Sequence, residues 1–394
     1  MLGWDAVKDV HWESLHHAYG TAEGTPEILR GLTSDDATLR VGAIDYLDWS
    51  VLHQGNIYSA TPPVARLVAG LLNEPILRAP LKEPAKTLRA KVATLFGIEG
   101  ATGLDAVLSF LGSVGESLEQ ALKWIGDEGL ADESHEWVNE VVDFRAMAPE
   151  VIEAILPFVQ DKNPRIAREA MNAASKWTAI QSEAPQAGPA AEVLRARLET
   201  ATDRIQESSL ILALGEMGQD VSAWLEDEDE AVRSCAALFV RTPRADVVLI
   251  RALTHPEQVD TWFPRKATPA YFPMNVRLSL LDEVIERGVT IEELLPAAVA
   301  LIRQTSGGLL AEYEWGPILQ LGFPDAGYVS GSGVRPPLPE HLTPAQHAVL
   351  EALVANKTLW DPTDGNASLA RKQVGLPDTR EELAAYLRQT PVQG

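Results

Sequence analysis

Along most of the chain, apolar residues return at spacings of three and four, leaving one apolar and one charged side to each stretch. That period predicts amphipathic helices, because residues three or four apart share a helical face. Alternating runs of Val, Ile, Thr and aromatic residues bounded by turn signals are nearly absent, so strands are not predicted. The expected fold class is all-α.

One phrase recurs: a polar cap, an aliphatic residue five places on, a basic residue at six, Ala at nine and an apolar residue at thirteen. Ser34 opens a copy with Leu39, Arg40, Ala43 and Leu47, and Asp227 opens one with Val232, Arg233, Ala236 and Val240. Asp161 opens a third with Ile166, Ala170 and Ala174, its arginine displaced to Arg168. The cap satisfies orphan amides at a helix start. The aliphatic and Ala positions form the buried face, with Ala allowing two axes to approach, and the arginine is expected to bond an acid or carbonyl of a neighbouring repeat. A shorter amphipathic segment precedes each phrase, as at Pro26 to Leu32 and Pro149 to Val159, and Ala190 to Thr200 with Ile205 to Leu214 reads as a further pair. Thr61 to Leu72 with Glu83 to Phe96, and a less regular stretch from Leu104 to Phe144, fill the gap at a period of roughly 40 residues.

These phrases resemble HEAT repeats, including the HEAT-like group related to bilin lyases. The chain also resembles a group of bacterial HEAT-repeat proteins of unassigned function in His17-Ala-Tyr-Gly, His53-Gln-Gly-Asn-Ile-Tyr-Ser-Ala-Thr and Gly375-Leu-Pro. The resemblance implies an α-solenoid of antiparallel helix pairs, with the second helix of each pair lining a concave surface. Residues 1–20, with Trp4, Val7, Val10, Trp12 and Leu15, are expected to form an amino-terminal capping helix, since a stack otherwise leaves a raw apolar end. Residues 21–320 read as the repeats, interrupted at 255–275 by an aromatic, proline-rich insertion that cannot be one helix. Residues 321–341 read as a Gly/Pro-rich linker or lid. Residues 342–394 read as a helical carboxy-terminal cap, opened by Thr343-Pro344.

Composition narrows the functions. The formal charge of −23 repels phosphate backbones and disfavours nucleic acid. The single cysteine, Cys235, excludes an internal disulfide and any Cys-based metal spacing, which with the absence of a leader or apolar span predicts a cytoplasmic protein. No catalytic motif, metal site or cofactor signature stands out; His16 and His17 point in different directions on a helix and lack a third ligand fixed by spacing.

The expected face of the helix from Asp35 to His53 carries Asp45, Asp48, Trp49 and Leu52 away from the core. A tryptophan beside two carboxylates suits a cationic or amphipathic ligand. His53 and Tyr58 follow in a turn and offer acid–base chemistry. Trp262, Arg265 and Tyr271 of the insertion form either a ligand box or a plug between repeats. The reading that follows is a scaffold holding a basic or amphipathic protein or peptide on an acidic concave surface. The alternatives are a HEAT-like lyase or isomerase on a small intermediate, with Trp49, His53 and Tyr58 sharing a site with the insertion, and a HEAT-like DNA glycosylase, which needs a local basic stripe.

Overall fold

The computed structural model describes residues 2–81, 101–127, 136–181, 188–272, 274–308, 310–326 and 335–393. The chain is all-α: two-residue strands β1 (His16–His17) and β2 (Gly20–Thr21) form the one small sheet among these residues. The expected helix at Glu83 to Phe96 lies outside the described residues. By contact, the chain divides into Met1–Val221 with Phe263–Tyr271, and Ser222–Trp262 with Phe272–Gly394.

In the first unit α1 (Thr25–Leu29), α2 (Ala37–Tyr46), α3 (Thr61–Leu71), α4 (Gly103–Asp127), α5 (Glu136–Arg145), α6 (Ala148–Ile155), α7 (Pro164–Ala179), α8 (Pro189–Leu198) and α9 (Arg204–Glu216) follow in order. The long α4 packs along α7, which also meets α6 and α9. Two glycines of α4 permit that approach: a Cβ on Gly112 would stand 2.9 Å from Asn172 Nδ2, and one on Gly115 would stand 2.8 Å from Lys176 Cβ. Trp177 is fully buried in the seam, donating from Nε1 to the Leu111 carbonyl at 2.8 Å and meeting Phe144 edge-on. Asp105 on α4 and Arg165 on α7 add an ion pair at 2.7 Å.

The recurring phrase has a definite local structure. Its opening residue is not the helix cap. Ser34, Asp161 and Asp227 instead accept from the backbone N–H two residues on, at 3.1, 2.8 and 2.7 Å. Those next residues, Asp36, Asn163 and Asp229, are the true N-caps, each accepting from the N–H two further on. The arginines also act closer to home than expected: Arg40 Nη1 donates to the carbonyls of Ser34 and Asp35, and Arg233 Nη1 to those of Asp227 and Glu228. Each arginine therefore fastens the turn before its own helix. Arg40 is consequently buried and Leu39, expected in the core, is 55% exposed.

The amino-terminal segment differs from expectation. Residues 1–20 do not form a capping helix. They make short 3-10 turns at Trp4–Ala6 and Trp12–Ser14 and then the β1–β2 hairpin. The apolar spacing there lacks a sustained helical period, and Gly3, at φ 81, turns the chain instead.

The second unit contains α10 (Glu230–Ala237), α11 (Pro243–Leu253), α12 (Pro256–Val259), α13 (Val276–Glu286), α14 (Ile291–Gln304), α15 (Ala311–Glu314), α16 (Gly316–Gly322), α17 (Pro344–Ala355), α18 (Gly365–Gln373) and α19 (Arg380–Gln389). Its core includes the fully buried Trp315 and the buried Cys235. Arg287 reaches back from the end of α13 to the carbonyls of Ala237, Leu238 and Val240, satisfying the end of α10. Thr343 and Gln346 form a capping box that opens α17. Gly375, at φ 80, ends α18: its N–H and that of Leu376 bond the carbonyls of Lys372 and Arg371. Among the described residues no helix is long and apolar enough to cross a membrane.

Candidate functional site

The first unit gathers several of the expected site residues where α2 ends. Past Tyr46 the helix widens into a π turn over Leu47–Val51. The extra residue shifts the helical phase, so Leu52 is buried rather than outward-facing, while Trp49 stays 51% exposed. A 3-10 turn, His53–Gly55, then reverses the chain with Gln54 at φ 55 and Gly55 at φ 75. Gln54 is the one non-glycine residue with positive φ among the described residues. Such backbone persists only where its surroundings hold it.

The hairpin is pinned against this turn. Ala18 N–H donates to the Ser50 carbonyl at 3.0 Å, Ala60 N–H to the His16 carbonyl at 3.1 Å, and His16 N–H to Ser59 Oγ at 2.9 Å. His17 meets Tyr46 edge-on, and its Nδ1 accepts from Tyr19 N–H at 3.1 Å, which requires the unprotonated nitrogen. Burial, then the neighbouring His16, lowers the His17 pKa and so favours that neutral form. Tyr19 is left at the hairpin tip, 65% exposed.

His53 stands between two exposed rings. Its centroid lies 5.3 Å from that of Tyr19 and 6.4 Å from that of Trp49, and Tyr19 Oη lies 3.4 Å from His53 Nδ1. Residues next to Trp49 and His53 in the chain, though not the three rings themselves, line a cleft of about 390 Å³. Asp48, Leu52, Gln54 and Gly55 form one wall, and Ser113, Glu116, Ser117 and Gln120 of α4 the other. Asp48 and Glu116 thus line the cleft together with the amides of Gln54 and Gln120 and the hydroxyls of Ser113 and Ser117, and Lys176 Nζ lies 4.0 Å from Glu116. This is the chemistry of a site for cations and hydrogen-bond donors.

Sequence reasoning passed over the α4 wall. Its signal is a row of polar residues, Ser113, Glu116, Ser117 and Gln120, at helical spacing. Asp45, half-buried on α2, does not line the cleft. Tyr58 serves the start of α3, exchanging bonds with Thr61 through its backbone.

The insertion behaves differently. Phe263–Tyr271 lies on α7: Arg168 Nη2 donates to the Lys266 carbonyl at 3.0 Å, and Lys176 Nζ stands 5.6 Å from the Tyr271 ring centre. Lys176 also pairs with Glu216 and lies 4.0 Å from Glu116. The crevice that Tyr271 shares with Ser175 and Glu216 holds about 10 Å³, space for a single water and no larger ligand. Tyr271 is therefore a plug. Arg265 sits on an adjoining 3-10 turn, and Trp262 is buried in the second unit. The crevice at Tyr271 and the cleft at Asp48 have no lining residue in common, so Tyr271 and Asp48 do not share one site.

No family model, curated protein or solved structure matches the chain. Among the described residues no group of three or more His, Cys, Asp or Glu side chains is placed to hold a metal ion.

Proposed function

We infer that the chain is a HEAT-type helical scaffold whose acidic cleft, with the nearby exposed aromatic row, holds a basic or amphipathic segment of another protein. The repeat part of this reading is supported by the two-step cap at Ser34, Asp161 and Asp227, and by the matching arginine back-bonds at Arg40 and Arg233. One observation carries the binding part: Trp49 and Tyr19, both more than half exposed, flank His53, and the chain neighbours Asp48, Leu52 and Gln54 line a cleft with Glu116.

Large aromatics left in water cost free energy, and clustered ones mark contact surfaces. A guanidinium or ammonium laid on Trp49 gains about 0.5–1 kcal/mol at such an exposed site. The carboxylates add charge-assisted bonds, and the formal charge of −23 steers a basic partner inward.

The test is fluorescence anisotropy with a labelled amphipathic peptide rich in Arg and Lys, against a counterpart in which Glu and Asp replace them. The basic peptide is expected to bind, and to weaken as NaCl rises from about 50 to about 300 mM. Combining Trp49→Ala with Glu116→Gln is expected to weaken it about tenfold, a loss of about 1.4 kcal/mol. Equal binding of the two peptides, or a double variant that binds like the parent, would refute the reading.

A further inference from the structure

The first unit holds a second cleft, of about 370 Å³, that shares no lining residue with the first. It forms because the amino-terminal segment crosses α3 at close range. Gly70 permits this crossing: a Cβ there would overlap the backbone of Gly3, whose N–H donates to the Arg66 carbonyl at 3.1 Å. Val10 and Leu15 of that segment, Pro63 of α3 and residues of α5 line the cleft together. Phe144 and Met147, both buried, form an apolar floor.

Three charged side chains line this apolar space: Arg66, Glu140 and Asp143. Arg66 Nε is buried with no hydrogen-bond partner, although the charge of Arg66 also acts on the nearby Glu150 carboxylate. Arg40, Arg197 and Arg371 share that feature, but of the four only Arg66 lines one of the clefts described. Glu140 and Asp143 are exposed on α5 and, three residues apart, lie on one side of it. A plain carboxylic acid would satisfy Arg66 but face the like charge of Asp143. A plain amine would suit Asp143 yet leave the Arg66 donor unmet.

We propose that this cleft binds a small zwitterion with a large apolar body, an apolar α-amino acid or a close derivative of one. The carboxylate takes the Arg66 guanidinium, the ammonium takes the Asp143 side, and the apolar body lies on Phe144 and Met147. The size and lining match the ordinary small-molecule site, mostly apolar with a few convergent polar groups. The proposal is independent of the peptide cleft.

Isothermal titration of the full-length protein with L-tryptophan, tryptamine and indole-3-propionate tests it. L-Tryptophan is expected to bind about tenfold tighter than either analogue, each of which lacks one charge. Arg66→Met keeps the apolar stem and is expected to bring L-tryptophan down to the level of tryptamine. Val10→Trp fills the cleft from its half-exposed wall and is expected to abolish binding with the melting temperature unchanged, which guards against a misfolded Arg66 variant. The proposal is overturned by absence of L-tryptophan binding at millimolar concentration, by tryptamine or indole-3-propionate binding as tightly, or by a folded Val10→Trp protein that binds as before.

Discussion

Glu169 on α7 shows how far burial can move one side chain. Burial, with the nearby Asp105 charge adding to it, pushes its carboxyl up to about 7, against the pull of Arg165, Arg168 and a hydrogen bond with Ser109. The folded state therefore holds a proton that the unfolded chain releases near 4.5. Between those values the native state binds more protons than the unfolded one, so stability falls as pH rises through the window and is fully retained below it. Glu169→Gln is expected to flatten that decline in urea unfolding at pH 5 and pH 7; an unchanged decline would show that Glu169 does not cause it. No sequence pattern singles out Glu169, because its burial against α4 is a tertiary fact. Asp48 and Trp49 are more legible. Their exposure follows from the helical phase of Ala43 and Leu47, while Asp45 is half-buried and the π turn buries Leu52.

At the scale of elements, the repeat phrase located helices to within a few residues. The starts of α2, α7 and α10 each fall three residues after the phrase's first residue. The offset arises because Ser34, Asp161 and Asp227 are cap-type residues that bond ahead to a second cap-type residue, and composition alone cannot rank two such neighbours. Asp229→Ala should cost about 1 kcal/mol in chemical denaturation, since the Ala231 N–H loses its acceptor. A stability equal to the parent's would mean that water replaces the cap at no cost. The amino-terminal segment was misread for a different reason. Two tryptophans and two valines within twelve residues suggest an apolar face, yet their irregular spacing suits turns, and the strongest instruction is the close packing of Gly3 on Gly70. That contact joins residues far apart in the chain, so no local pattern announces it.

For the whole molecule, all-helical character was legible from periodicity, and the charge of −23 from counting. Like charges at that density oppose compaction, and salt screens them, with a Debye length of about 30 Å at 0.01 M and about 10 Å at 0.1 M. The melting temperature is therefore expected to rise between about 10 and about 300 mM NaCl; a fall would show that native ion pairs such as Asp105–Arg165 outweigh the net repulsion. What no periodicity could reveal is the division of the chain, in which Phe263–Tyr271 belongs with the first 221 residues while its neighbours on both sides belong elsewhere. This has a consequence in time. During synthesis the ribosome must deliver residues 222–262 before the strap that covers Lys176 and engages Arg168 exists. The amino-terminal half thus waits, with that face bare, for a piece of itself still to be translated, and any expression boundary drawn at Val221 would leave it permanently unfinished.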